Sequence, residues 1–392
     1  MSTRGRQILW ALIAGGVLAR LLLAFGWIGL AYDIESYALV VESLQGHDPL
    51  SLYVEMSAGG ANRWPYPPGY FAWLLVADWV TVPGLLPFHG LVHLPSIAAD
   101  AALAWIVQAY LGDRGADERT RLAAAALVAF GPSFLFVSGY EGQLDTFAIL
   151  PAVAALLAWE RLPGGRRAPV AGLLIGAGAA LKTVPFLLLL ALLPLSRGRR
   201  EGATLLACAV AVPLVLLAPW LAAEPQGTYD ALRYSGVPGL GGLSLLAQPD
   251  LAEAWLVTDR FQVTGLTELL IDVRFAILVA AIAAVAAFLW RRRPEPATAA
   301  LALWLTVFVF GVNFGPRYLV WALPFMLMAG RLREAALLQA VTFPAAVLLA
   351  TRLWSAEWVA IPYVVIMLGL LAFFLCWLVV LIRQVPRSRA SG

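Results

Sequence analysis

Two carboxylates follow the first hydrophobic segment directly, in the run YDIESY from Tyr32 to Tyr37. Asp33 and Glu35 are two residues apart, so their side chains share a face of an extended segment but diverge by about 200° around a helix. A carboxylate beside a membrane can act as a general base that removes a proton from a hydroxyl group. Both residues could instead cap a helix that begins near Ser36. The run therefore predicts either a catalytic base or a helix N-terminus.

One lysine, Lys182, lies inside an otherwise apolar stretch. An ammonium group within a membrane is costly unless it faces a polar cavity or an opposite charge. A phosphate would be a suitable partner, and an ion pair with Asp100 or Asp145 is the alternative. Pro185, three residues later, removes a helical hydrogen bond near the same point. The pattern predicts two short or broken helices around Lys182.

A short polar connector, GYEGQLD from Gly139 to Asp145, joins two apolar stretches. So short a loop leaves its side chains little freedom. Gln143 and Asp145 are therefore predicted to make fixed hydrogen bonds, either to a sugar or to Lys182. Asp145 could equally cap the helix that starts at Thr146.

A second connector, NFGPRYLVW from Asn313 to Trp321, places an arginine beside aromatic residues. The planar guanidinium of Arg317 can bind two phosphate oxygens at once, or its long side chain can extend to lipid headgroups. Tyr318 and Trp321 suit the headgroup region of a membrane, with contacts to a ligand as a second role.

An aromatic residue and two histidines are further candidates. Tyr66 lies between Pro65 and Pro67, in a stiff extended segment on which a sugar or an isoprenoid could stack, although the prolines could serve chain geometry alone. His89 and His93 have the i, i+4 spacing of two metal ligands on a helix, but the glutamate of an HExxH motif is missing. A phosphate contact from His93 and simple packing at the interface are the alternatives.

The composition identifies the elements that must position these groups. Of the 392 residues, 61% are hydrophobic and 13% are charged, whereas soluble domains have about a quarter charged residues. The chain is therefore predicted to be an all-α polytopic membrane protein. Its two cysteines, Cys208 and Cys376, lie in hydrophobic runs, which argues against a disulfide framework or a thiolate metal site.

Clusters of arginine mark the cytoplasmic ends of the spans, as the positive-inside rule requires. Segment 71–87 contains Asp78 and is interrupted by Pro83 and Pro87, so it is predicted to be an interfacial helix rather than a span. The predicted topology has about twelve crossings, both termini inside, and one membrane domain over 1–392 with large outer loops at 32–87 and 223–272. The predicted spans are 8–31, 88–111, 122–138, 147–160, 169–181, 183–195, 202–222, 273–290, 297–312, 318–330, 335–352 and 358–382.

Six motifs occur in one order and carry a family resemblance. They are the DxE of Asp33–Glu35, the YPP of 66–68, a span with Asp100, the GQxD-like turn at 142–145, Lys182 with Pro185, and the RYLxW of 317–321. In this order, up to about residue 330, the chain resembles the GT-C glycosyltransferases. The likeness is to the GPI mannosyltransferase type and to bacterial mannosyltransferases that use polyprenyl-phosphate-mannose. The family's DxD reads here as Asp-Ile-Glu, and Gly315 and Pro316 precede RYLxW.

The resemblance implies a GT-C-like fold and transfer of a sugar, expected to be mannose, from a polyprenyl phosphate to a hydroxyl of a lipid or glycan acceptor, with inversion. Asp33 is the implied general base and Glu35 the second catalytic carboxylate. The expected donor-binding residues are Lys182, Arg317, Tyr318, Gln143, Asp145, Tyr66 and His93. No cofactor is required, a divalent metal is optional, and nucleic acid is not a partner. The expected location is the bacterial inner membrane, with the site on the outer face.

A secondary transporter or lipid flippase is the alternative function. In that interpretation Lys182, Asp100 and Arg20 form a charge relay near the middle of the membrane. Transporters of this kind are built from symmetric halves with discontinuous helices in matching positions. The broken segment around Lys182 has no evident counterpart in the second half of the sequence, which favours the enzyme.

Overall fold

A computed structural model describes residues 1–58, 62–234, 236–254, 256, 262–351 and 360–384. Within these ranges the chain is helical, and its only β-type pairing is an isolated bridge between Val82 and Leu86. The predicted all-α class is confirmed. The chain divides into two compact units, the first formed by Met1–Leu189 and Ser196–Tyr234, the second by Leu190–Leu195 with the described residues of 235–392.

The α-helices, in chain order, are α1 (Thr3–Gly26), α2 (Ala31–Gln45), α3 (Leu52–Ser57), α4 (Phe71–Val80), α5 (Phe88–Leu91), α6 (Leu94–Asp113), α7 (Glu118–Ala129), α8 (Pro132–Phe134), α9 (Asp145–Arg161), α10 (Gly164–Ala179), α11 (Leu187–Leu192), α12 (Arg199–Ala223), α13 (Pro225–Leu232), α14 (Leu243–Ala247), α15 (Asp250–Glu253), α16 (Gly265–Asp272), α17 (Arg274–Arg292), α18 (Pro296–Phe310), α19 (Leu323–Met328), α20 (Leu332–Thr351) and α21 (Ala360–Gln384). A π-helix covers Leu135–Glu141. Short 3₁₀ helices lie at Pro49–Ser51, Pro68–Tyr70, Val184–Phe186, Leu193–Leu195 and Pro316–Trp321.

Seven helical runs in the described residues are long and apolar enough to cross a membrane, so the protein is an integral membrane protein. They are Thr3–Gly26, Phe88–Asp113, Glu118–Glu141, Arg199–Ala223, Arg274–Arg292, Leu332–Leu349 and Ala360–Gln384. Each of the twelve predicted spans overlaps a helical segment, but several of those segments are short, as Val184–Leu195 and Pro296–Phe310 are. The total of about twelve crossings stays a prediction.

In the first unit, α1, α6, α7, α9, α10 and α12 pack against one another. Small residues allow α10 and α12 to approach each other closely. A Cβ atom added at Gly172 would lie 2.5 Å from the backbone oxygen of Leu205, and one at Gly176 would lie 2.6 Å from that of Ala209. This four-residue spacing of glycines is the pattern by which membrane helices bring their backbones together.

A buried ion pair joins α1 to α6. The Arg20 Nε lies 2.7 Å from the Asp100 Oδ2, and both side chains are 1% exposed. The Ser138 hydroxyl in the π-helix also contacts both residues. Arg20 and Asp100, considered above as members of a charge relay with Lys182, therefore pair with each other and join the helices that surround the π-helix.

Within the first unit, the segment between α1 and α5 packs around an aromatic cluster. Its members are Tyr37, Tyr53, Trp64, Tyr66, Tyr70 and Phe71, packed with Trp220 of α12. The ten-residue helix α4 is about 15 Å long, half of the roughly 30 Å hydrocarbon thickness. It is too short to cross, as predicted for 71–87. Trp79 at its end is 84% exposed, which suits the predicted interfacial position.

In the second unit, a glycine-rich loop pairs with the turn that precedes Arg317. The backbone nitrogens of Leu243 and Ser244 donate to the oxygens of Gly311 and Val312 at 3.1 and 2.8 Å. Around this loop α17 packs on α18, and α21 packs on both α18 and α20.

Candidate active site

Asp33 lies in the first turn of α2, and its side chain makes a contact with a distant part of the chain. The helix begins at Ala31, earlier than the predicted start near Ser36, and its N-cap residue Leu30 makes no side-chain capping bond. The Asp33 carboxylate instead accepts a hydrogen bond from the Gln143 side-chain amide, 110 residues later in the chain. Asp33 also lies in the first helical turn, where a negative charge suits the helix dipole, so the helix-terminus alternative stays open beside the contact with Gln143.

A glycine turn between α1 and α2 brings Asp33 to this position. Gly29 has φ +78°, and a Cβ atom added there would collide with the backbone oxygen of Tyr140. Glycine is the residue that adopts such a conformation without steric cost. The turn therefore lets the start of α2 approach the end of the π-helix closely.

Gln143 is held by a turn that is anchored from three directions. The π-helix ends at Gly142, which has φ +77°. The Tyr37 hydroxyl donates to the Gly142 oxygen at 2.9 Å, the Ser96 hydroxyl donates to the Gln143 oxygen at 2.7 Å, and the Gln143 nitrogen donates to the Val137 oxygen at 3.1 Å. π-helices often occur at functional sites. Here the turn fixes the amide that contacts Asp33.

Lys182 forms an ion pair with Asp145 in the same unit. Its Nζ lies 2.6 Å from the Asp145 Oδ1, and the two side chains are 9% and 0% exposed. The ammonium also lies 4.9 Å from the centre of the Tyr66 ring. The predicted helix break is present, because α10 ends at Ala179 and the next helical turn starts at Val184. Of the two carboxylates considered as partners, Asp145 is the one observed.

Tyr37 is a buried phenol in the neighbourhood of both the Asp33 and the Asp145 carboxylates. Its side chain is 2% exposed, and burial raises the pKa of its phenol well above the usual value. Four nearby acidic groups add to this effect, in decreasing order Tyr70, Asp33, Tyr66 and Asp145. Both carboxylates therefore act on one buried phenol. Tyr37, which the sequence interpretation overlooked, is four residues after Asp33 and thus on the same face of α2.

Glu35 does not join this group. In the helix it diverges from Asp33, as its spacing requires. Its side chain is 65% exposed, and its nearest cation is Arg63, at 3.8 Å. The two carboxylates of the DxE run therefore have different surroundings.

His93 is buried behind the turn at Gly142. Its Nδ1 lies 2.8 Å from the Ser138 oxygen, and its Nε2 has no hydrogen-bond partner among the described residues. A Cβ atom added at Gly142 would lie 2.8 Å from this Nε2. Within the described ranges no group of three His, Cys, Asp or Glu residues could hold a metal ion, so the pair with His89 gains no third ligand there.

Arg317 and Tyr318 belong to the second unit. The Tyr318 ring stacks on Trp321 with centroids 4.2 Å apart, and the Arg317 guanidinium lies 5.9 Å from the Tyr318 centroid. Both residues are half-buried. Five of the other predicted residues lie in the first unit in two sets of contacts, Asp33 with Gln143, and Lys182 with Asp145 and Tyr66.

The comparisons with known proteins place the chain in a family. The family model of glycosyltransferase family 87 matches residues 64–313. A comparison with curated proteins found no match. The matched region covers more than half of the sequence, including Tyr66, Gln143, Asp145 and Lys182, and begins after Asp33. The chain therefore belongs to glycosyltransferase family 87 and is a membrane glycosyltransferase.

Proposed function

We propose that the protein transfers a sugar, expected to be mannose, from a polyprenyl phosphate to a hydroxyl of a lipid or glycan acceptor. Membership of family 87 supports sugar transfer. The observation that carries the finer proposal is a carboxylate, Asp33, oriented by the Gln143 amide in the unit that also holds the enclosed cation Lys182. The placement of the basic loops supports a site on the outer face of the membrane.

Asp33 is the proposed general base. In an inverting transfer the acceptor oxygen attacks the anomeric carbon, the bond from that carbon to the phosphate oxygen breaks, and the hydroxyl proton passes to the base. A carboxylate offers about four acceptor sites, so it can accept the Gln143 amide and a substrate hydroxyl together. Glu35 is left out of this step because it diverges from Asp33.

Lys182 is proposed to stabilise the phosphate that leaves with the polyprenyl chain. A fixed cation in a site from which water is largely excluded stabilises developing negative charge more strongly than one in bulk water. Asp145 and the Tyr66 ring hold the ammonium in place. Arg317 and Tyr318, which belong to the second unit, stay predicted donor-binding residues. His93 is proposed to support the Gln143 turn, because its ring lies against Gly142.

The direct test is an assay of the purified protein with labelled polyprenyl-phosphate sugars and a lipid extract, with products identified by mass spectrometry. We expect a glycosylated lipid or glycan and release of polyprenyl phosphate. Product formation from a nucleotide sugar but from none of the lipid donors would contradict the proposed donor. Counterflow of a labelled lipid without a covalent product would support a transporter instead.

Replacing Gln143 with Leu should lower the turnover number by about tenfold, as expected when a hydrogen bond to a charged group of about 1.5 kcal/mol or more is lost. Leucine has a similar size but cannot orient the Asp33 carboxylate. Gln143→Glu is the matched variant, since it keeps the shape but places a second carboxylate beside Asp33 and should raise the pH required for activity. Unchanged turnover in Gln143→Leu would argue against a role for this contact.

Replacing Lys182 with Met should lower transfer by about 10²-fold or more, the effect of removing one group that stabilises transition-state charge. This change leaves the Asp145 carboxylate buried without its cation, which could itself unfold the protein. The double variant Lys182→Met with Asp145→Asn removes both charges and serves as the control. If Lys182 acts only in the ion pair, the double variant regains activity; if Lys182 binds the phosphate, it stays impaired.

A further inference from the structure

Arg63 lies against the start of α2 and is rigidly mounted. Its guanidinium stacks 4.0 Å above the Tyr32 ring. Its backbone nitrogen donates to the Met56 oxygen at 2.8 Å, and the next residue, Trp64, is 0% exposed. A planar cation held over an aromatic face loses little further freedom when it binds a ligand.

The protein contacts of this guanidinium are weak and use one of its nitrogens. Nη1 lies 3.3 Å from the Tyr32 oxygen, 3.5 Å from the Ser36 hydroxyl and 3.8 Å from the Glu35 carboxylate. Only the first of these distances is near the range of a hydrogen bond. The edge formed by Nε and Nη2 has no partner among the described residues, and the side chain is 28% exposed.

Another arginine in the same unit shows what this edge does when it is occupied. The Nε and Nη2 of Arg167 bind the two carboxylate oxygens of Glu201 at 2.7 and 2.9 Å. That two-point geometry matches phosphate as well as carboxylate. Arg63 therefore offers an unoccupied edge of the same kind beside the residues that flank Asp33.

We propose that Arg63 binds a phosphate group of a lipid-linked substrate through this edge. The proposal rests on the proposed function in one respect, that the substrates are lipid phosphates. The phosphate could be that of the sugar donor or that of an acidic lipid acceptor. Glu35 opposes the binding, because its negative charge is 3.8 Å from the same guanidinium, although its exposure weakens the repulsion.

Binding of three probes to the purified full-length protein tests this proposal. The probes are a polyprenyl monophosphate, the corresponding neutral polyprenol, and a short-chain phosphatidylglycerol. Arg63→Gln should weaken the binding of a phosphate probe by about tenfold, the loss expected for a charge-assisted hydrogen bond, and leave the polyprenol unaffected. Weaker binding of the polyprenyl phosphate assigns Arg63 to the donor, and weaker binding of phosphatidylglycerol assigns it to the acceptor.

Two further variants separate a binding role from a structural one. Glu35→Gln should strengthen the binding of the same phosphate probe by about threefold, since an exposed charge contributes below about 1 kcal/mol. Arg233→Gln is the matched control, because it removes another guanidinium that lies over a tyrosine, 5.1 Å from the Tyr229 centroid. It should change the affinity for neither the polyprenyl phosphate nor the phosphatidylglycerol.

The outcomes are distinct. If the Arg63 and Glu35 variants weaken binding together, or if Arg63→Gln alters neither phosphate affinity, the phosphate site is wrong. Binding does not require turnover, so a protein that keeps the Arg63-dependent affinity but forms no glycosylated product would contradict the proposed function and leave this inference standing. Thermal unfolding of each variant confirms that the compared proteins are folded.

Discussion

Replacing Asp33 with Asn should reduce sugar transfer by about 10³-fold, within the 10²–10⁴-fold that a positioned general base contributes. Asparagine has almost the same shape, and its side-chain carbonyl can still accept the hydrogen bond that the Gln143 amide donates to Asp33. It cannot take up the proton of the acceptor hydroxyl. The measurement is the turnover number of the purified variant with saturating lipid donor, together with its unfolding temperature.

Asp78→Asn provides the matched control for this result. It makes the same chemical change at an exposed carboxylate of α4, which accepts a hydrogen bond from Gln45 at 2.9 Å. We expect activity close to that of the unaltered protein. Transfer retained in a folded Asp33→Asn variant would remove Asp33 from the role of base.

The helical segments were predictable because they depend on local sequence. Long apolar runs, prolines and arginine clusters locate helices without knowledge of tertiary structure, and every predicted span overlaps a helical segment. The lengths of the individual spans were predicted less well. The third span was expected at 122–138, whereas the helical run extends over Glu118–Glu141 with a π-helix at its end. A π-helix depends on packing around it, which local sequence does not reveal.

The residue types in the sequence proposed the candidate site residues, but they did not determine which of these residues pair. Asp33 and Gln143 are 110 residues apart, and without the fold no local pattern indicates that one orients the other. Lys182 illustrates the same limit. The free-energy cost of a charged ammonium within an apolar stretch indicates that a partner exists, but it does not show which residue that partner is. The start of α2 was misplaced by five residues, since no capping side chain marks Ala31. Arg63 carries no sequence signal beyond its charge.

Breaking the Arg20–Asp100 pair should have the largest effect on stability. The Arg20 guanidinium donates to Asp100, to the Ser138 hydroxyl, and to the backbone oxygens of Gly16, Ala129 and Val128. These contacts join α1, α6, α7 and the π-helix at a point that is 1% exposed. Asp100→Ala removes the opposing charge and leaves the guanidinium buried. We expect a loss of about 3–5 kcal/mol in the free energy of unfolding, measured by reversible unfolding of the purified protein in mixed micelles.

A more exposed ion pair with the same N–O distance tests whether burial, rather than distance, causes the loss in the free energy of unfolding. Arg114 and Glu160 are also 2.7 Å apart, but their side chains are 28% and 26% exposed, so Glu160→Gln should cost below about 1 kcal/mol. The double variant Arg20→Met with Asp100→Leu should be more stable than Asp100→Ala alone, because it leaves no buried charge without a partner. If Asp100→Ala and Glu160→Gln are equally mild, water must reach Arg20 and the pair is not the enclosed anchor of these helices. If the double variant is the least stable, the contacts of Arg20 with the backbone oxygens contribute more than its charge pairing, and the π-helix depends on the guanidinium itself.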